Sequence, residues 1–213
     1  MNGLIVNIKT EKILPFTKTV YKVIMRIGLF GGTFNPVHNG HIKLAEEGKK
    51  QLNLDKVFFL PSYVPPHKNA ENIALPFHRM KMLELAIDGM DGFEVSDYEI
   101  SQHKVSYSIN TIRYFKEISS AETDIFFLIG QDAFNGLRSW KEADELFELC
   151  SFAVCNRPGS VFENSDIDFS KISIDGVAIS STQIRNRIKE GKDIKGMVSP
   201  LVYSYIVANN LYK

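Results

Sequence analysis

The sequence predicts an α/β fold: a doubly wound parallel sheet with a short C-terminal helical extension. Three observations lead there. Short apolar runs over 27–30, 56–60, 124–130 and 151–155 alternate with segments whose apolar residues recur every three or four positions. That is the pattern of strands alternating with helices. The run Asp124-Ile125-Phe126-Phe127-Leu128-Ile129-Gly130 is almost wholly apolar, as a central parallel strand covered on both faces must be. Glycine, proline and histidine collect just after the first two runs, where the loops of an open parallel sheet form its ligand crevice.

The 213 residues suit one domain, and 44% hydrophobic residues supply a full core. Lys+Arg and Asp+Glu are both 25, a formal net charge of +0. This argues against a nucleic-acid-coating surface while leaving room for a local basic pocket. No apolar run approaches the roughly 20 residues of a membrane span, so no membrane partner is expected. Cys150 and Cys155 match no C-x-x-C spacing and border an apolar strand. They read as buried free thiols, which places the chain in a reducing cytoplasm. Residues 1–25 scatter their apolar positions among lysines and carry no cleavage pattern of a signal peptide. They are expected to be an N-terminal extension, with Met25 the natural start and 26–213 the single domain.

In order, Ile27 to Phe30 is a buried strand. Gly31 and Gly32 should then turn the backbone sharply and let it approach a ligand, since neither carries a Cβ. Pro36 stiffens the loop. His38 and His41 stand where a helix of about 40–52 begins. A strand, a bare loop and a helix start make an anion site: free N–H groups and the positive end of the helix dipole face the ligand. Two imidazoles add donors that can become cationic near neutral pH. The next strand, 56–60, leads into a loop rich in proline, 61–68, which brings His67 and Lys68 to the same side of the sheet.

Phe77, Met80, Leu83 and Ile87 define an amphipathic helix over 77–90, with His78 and Arg79 expected on its surface. A short strand, 93–95, precedes an irregular stretch or edge hairpin over 97–105. Ser106 or Ser108 should cap the helix that carries Ile109, Ile112 and Phe115. After the central strand, Asp132 is placed to accept hydrogen bonds from sugar hydroxyls. Trp140 either serves structure or stacks on a ring, ahead of a helix at 142–149. Arg157 leaves the 151–155 strand on the ligand side, and 160–170 is an exposed loop. A last strand spans 172–174. Ser180, Ser181 and Thr182 then open a helix to about 190. They form a second anion site with Arg185 one turn in. A terminal helix spans 199–211.

These residues resemble a known family. Gly31-Gly32-Thr33-Phe34-Asn35-Pro36-Val37-His38-Asn39-Gly40-His41 is similar to the H-x-G-H signature of the nucleotidylyltransferase superfamily. Ile179-Ser180-Ser181-Thr182-Gln183-Ile184-Arg185 resembles its second signature. Pro65-Pro66-His67-Lys68, Ser106-Tyr107-Ser108, Leu128-Ile129-Gly130-Gln131-Asp132, Ser139-Trp140 and Asn156-Arg157-Pro158-Gly159 follow the order found in bacterial nicotinate-nucleotide adenylyltransferases. The resemblance runs from Arg26 to the C-terminus. Two departures stand out: Asn35 replaces the family's usual Asp, and Ser108 its usual Thr.

The resemblance implies a Rossmann-like sheet and transfer of the adenylyl group of ATP to nicotinate mononucleotide. It gives His38 and His41 the triphosphate around the transferred phosphoryl group, and Gly31, Gly32 and Thr33 a bare backbone beside it. Ser180, Ser181 and Arg185 would bind the β and γ phosphates, and Gly130 and Asp132 the adenosine ribose. His67, Lys68, Arg157 and Ser62 would hold the mononucleotide phosphate. Ser108 and N–H groups near Trp140 would hold the nicotinate carboxylate, with Trp140 against the pyridine ring. Mg²⁺ would arrive with ATP; no acidic cluster resembles a protein cage for it. A homodimer is compatible with the family. Two other readings stay open: a pantetheine-phosphate adenylyltransferase, and a non-catalytic nucleotide sensor on the same fold.

Overall fold

The structure, a computed structural model, describes residues 8–9, 22–65, 73–156, 166–174 and 179–213. Six parallel strands form the main sheet: β3 (Arg26–Gly32), β4 (Lys56–Pro61), β5 (Phe93–Val95), β6 (Asp124–Gly130), β7 (Ser151–Asn156) and β8 (Phe169–Ser173). Their order is β5-β4-β3-β6-β7-β8. The chain therefore starts in the middle, walks outward to β5, crosses back to the other side of β3, and walks outward again. The reversal between β3 and β6 opens a crevice beyond their C-terminal ends, where ligands of such sheets bind. Within the expected N-terminal extension, β1 (Ile8–Lys9) and β2 (Lys22–Val23) pair antiparallel; 1–7 and 10–21 lie outside the described residues.

Helices cover both faces, as the apolar β6 requires. Side chains alternate along each strand: Phe30 and Leu128 face one core, Leu29 and Phe127 the other. The first core includes Leu44 of α1 (Asn39–Gln51), Met82 and Leu83 of α2 (Pro76–Ala86), Ile184 of α7 (Ser181–Lys189) and Val202 of α8 (Pro200–Ala208). The second includes Ile109 and Ile112 of α4 (Ser108–Ile118), Phe134 of α5 (Gln131–Asn135) and Leu146 of α6 (Ala143–Leu149). The stretch expected to be irregular contains a short helix, α3 (Tyr98–Ser101). No helix among the described residues is long and apolar enough to cross a membrane.

Several expectations need correction. Gly31 and Gly32 do not turn; they complete β3, in register with Leu60 and Pro61. The turn falls at Phe34, whose φ is 47°. Glycine is needed at 32 for space instead, because a Cβ there would lie 2.9 Å from the Phe34 ring. On α2 the buried face carries Arg79, Met82 and Leu83, while Phe77 is 67% exposed. Arg79, expected at the surface, is fully buried. That helix stops at Ala86, and Gly89 follows with φ 74°. β8 begins inside the span expected to be loop, and α8 ends at Ala208 rather than 211. Cys150 and Cys155 form no disulfide, and both keep some exposure, although most of Cys150 is shielded from solvent.

Candidate active site

The crevice is built outward from the end of β3. His38 takes the cap position of α1 in extended conformation. Its backbone N–H donates to His41 Nδ1 at 3.2 Å. A nitrogen that accepts there leaves the ring proton on Nε2. The two imidazoles stack, with centroids 3.7 Å apart and planes 24° from parallel. Phe34 meets the His41 ring edge-on at 5.0 Å. His41 is thus fixed by its neighbours before any ligand binds.

The start of α7 lies against the same loop. Ser180 caps this helix by accepting from Gln183 N at 3.1 Å. The Ser181 hydroxyl donates to the Pro36 carbonyl at 2.9 Å. Arg185 donates to the Asn35 carbonyl at 2.8 Å and to Thr182 Oγ1 at 3.2 Å. Ser181 and Arg185 therefore hold the 35–36 loop, which brings a second positive helix end beside that of α1. Asn35 is a hub. Its Oδ1 accepts from Ala74 N and from the Tyr212 hydroxyl, both at 2.9 Å. The neutral amide shapes the loop here.

Alongside lies a cavity of about 420 Å³. It brings together seven residues that the sequence singled out: Gly31, Gly32, Thr33, Ser62, Ser108, Gly130 and Trp140. Ser62 is buried, and its hydroxyl has no hydrogen-bond partner among the described residues, so it is available to a ligand. Trp140 stands edge-on to Phe127, with centroids 6.0 Å apart. Lys141, which sequence reasoning passed over, sets its ammonium 4.9 Å from the Tyr107 ring centroid. Ser106, Tyr107 and Ser108 line the wall where α4 begins; a helix start with free N–H groups favours a carboxylate. Neither serine caps that helix by its side chain. Tyr107 takes the cap position, and Ser106 Oγ accepts from Tyr63 N at 2.9 Å. Gly130 caps α5, and Asp132 lies exposed in its first turn. His67, Lys68 and Arg157 lie outside the described residues.

Two charges are buried here: Arg79, expected at the surface, and Glu99, which the sequence did not single out. Arg79 donates to the carbonyls of Ala74 at 3.0 Å, Thr33 at 2.9 Å and Tyr63 at 3.1 Å. Glu99 lines the cavity and accepts from Thr111 Oγ1 at 2.8 Å. Burial pushes the Glu99 carboxyl above the usual carboxylate range, against hydrogen bonds from Thr111 and Ser106 and the charge of Arg79. Burial lowers the Arg79 guanidinium, against Tyr212 and Glu99. A signal for Arg79 did exist: it stands three and four residues before Met82 and Leu83, on their helical face. Among the described residues no three His, Cys, Asp or Glu side chains cluster as a metal site.

Comparisons with known proteins agree with this architecture. Residues 29–187 match the cytidylyltransferase-like family. A Clostridium botulinum (strain Okra / Type B1) protein named "Probable nicotinate-nucleotide adenylyltransferase" is 40% identical over 200 residues, covering 87% of this chain and 98% of its own length. A Thermoanaerobacter protein of the same name is 38% identical, covering 89% and 95%. The fold matches that of Plasmodium falciparum nicotinic acid mononucleotide adenylyltransferase, solved in complex with NaAD. That match has a TM-score of 0.74 at 20% identity over 88% of this chain and 97% of the other. With its cytidylyltransferase-like core and relatives of this identity along nearly their whole length, the chain belongs to the nicotinate-nucleotide adenylyltransferase family.

Proposed function

We propose that the protein transfers the adenylyl group of ATP to nicotinate mononucleotide, giving nicotinate adenine dinucleotide and pyrophosphate. The observation that carries this reading is the stacked His38–His41 pair at the α1 start, beside a cavity walled by the β3 end and the α4 start. A phosphate oxygen of the mononucleotide attacks the α-phosphorus of ATP. The bond from that phosphorus to the bridging oxygen breaks, and pyrophosphate leaves. The attacking monoester has a second pKa of about 6, so it is already an anion at neutral pH and needs no general base. The obstacle is repulsion between anions. Catalysis is therefore positioning plus charge neutralisation.

In this reading His38 and His41 donate to the transferred phosphoryl group and the leaving pyrophosphate. The backbone of Gly31, Gly32 and Thr33 admits that phosphate. Ser180, Ser181 and Arg185 present the α7 start to the β and γ phosphates, and Gly130 and Asp132 take the ribose. Ser62, His67, Lys68 and Arg157 take the mononucleotide phosphate. Ser108 and the α4 start receive the nicotinate carboxylate, with Trp140 beside the ring. Mg²⁺ enters as part of the nucleotide substrate.

Pyrophosphate release from ATP, measured with each candidate acceptor, tests the reading. Nicotinate mononucleotide should react and nicotinamide mononucleotide only poorly, because its amide NH₂ would face N–H donors. Reaction with phosphopantetheine alone, or nucleotide binding without release, would overturn it.

A further inference from the structure

We infer that Arg79 is a positioning residue that sets the separation of the two reactants; this rests on the adenylyl-transfer reading above. Its guanidinium touches neither reactant in that reading, yet it joins the walls that hold them. One arm donates to the Thr33 carbonyl at the end of the glycine strand, on the ATP side. Another donates to the Tyr63 carbonyl, next to Ser62 on the mononucleotide side. The third, Nε, donates to Ala74 O, and Ala74 N donates to the Asn35 hub. Tyr63 N in turn donates to Ser106 Oγ at the α4 start, where the nicotinate carboxylate would sit.

Arg79 is fully buried, and a guanidinium does not give up its proton in proteins. A permanent charge is therefore held in the core by three carbonyls, with the charge of Glu99 favouring it. Its planar fork aims donors in fixed, divergent directions. A lysine ammonium has three donors too, but they share one nitrogen on a flexible stem and lack the fixed spread of the three guanidinium nitrogens used here. The transfer demands that one bound anion approach the phosphorus of another within about 3–3.5 Å, and a misplacement of about 1 Å costs on the order of 100-fold in rate. Arg79 is the group that fixes that approach.

The test compares Arg79→Lys and Arg79→Ala with the parent in full steady-state kinetics, with thermal melts to establish the folded fraction. For Arg79→Ala, kcat should fall roughly 100-fold while KM for ATP and for the mononucleotide each stay within about threefold. Arg79→Lys should lose roughly tenfold in kcat. Added methylguanidinium should restore part of the activity of Arg79→Ala and none of that of the parent or Arg79→Lys. If Arg79→Ala fails to fold, Arg79→Lys alone decides. A folded Arg79→Lys with parental kcat overturns the inference. So does a loss carried by KM alone, or a kcat loss in folded Arg79→Ala that methylguanidinium leaves unchanged. A parent that releases no pyrophosphate overturns the functional reading instead, so the two failures are distinct.

Discussion

Replacing His41 by alanine removes two things at once, and the structure allows them to be separated. The first is a donor. Because His41 Nδ1 accepts from the His38 N–H, its Nε2–H is fixed before the reaction and is aimed without reorganisation. Loss of one such preorganised donor costs about 10²–10³ in kcat, or about 3–4 kcal/mol of transition-state stabilisation. The second is a structural bond. The His38 N–H loses its acceptor at the α1 start, a cost of about 0.5–1.5 kcal/mol. For a domain of this size that lowers Tm by about 1–6 °C. Pyrophosphate release under saturating ATP and mononucleotide gives the first quantity, and a thermal melt gives the second. A well-folded His41→Ala protein with kcat within threefold of the parent would refute the role. So would a rise in KM with kcat unchanged, since that marks uniform binding rather than transition-state stabilisation.

Three further outcomes are expected. Gly32→Ala would place a Cβ 2.9 Å from the Phe34 ring; it should destabilise the protein by about 1–3 kcal/mol, read as a lower denaturation midpoint, and an unchanged midpoint would refute the packing argument. Burial holds the Glu99 carboxyl above its ordinary 4.5, so the native state binds more protons than the unfolded one between those two values, and stability present at low pH is lost as pH rises through that window. Glu99→Gln removes this loss; melts from about pH 4 to about pH 8 should show the parent falling relative to the variant, and parallel curves would refute the shift. Cys150, pushed up to about 12 by burial, carries almost no thiolate at neutral pH, so alkylation mapped by mass spectrometry should be slow in the native protein and rapid in denaturant.

The sheet was legible because its strands follow simple periods. The apolar run before Gly130 could be little else than a buried parallel strand. The candidate site's first loop could be located because glycine, proline and histidine together mark the break between β3 and the start of α1. The sequence misled where a residue type has a strong default. Charge on a helix reads as solvent-facing, so Arg79 was assigned to the surface and Phe77 to the core, the reverse of what α2 presents. Gly31 and Gly32 suggested a turn, but the chain uses their missing side chains for packing and makes the bend with Phe34. The serines before α4 suggested caps, but the Ser106 oxygen is engaged by Tyr63, a partner 43 residues away. Pairings at such distances leave no local pattern, and Tyr212 on Asn35 is the extreme case.

The Tyr212 hydroxyl ties a side chain synthesised 177 residues earlier. At about 5–20 residues per second, a ribosome takes roughly 10–35 s to cover that stretch. Throughout that interval the loop bearing the two histidines lacks one of its several fastenings. Until Tyr212 is made, Asn35 Oδ1 lacks the hydroxyl donor that joins the Ala74 N–H, so the loop ahead of the histidines should sit less firmly in a chain stalled short of that residue.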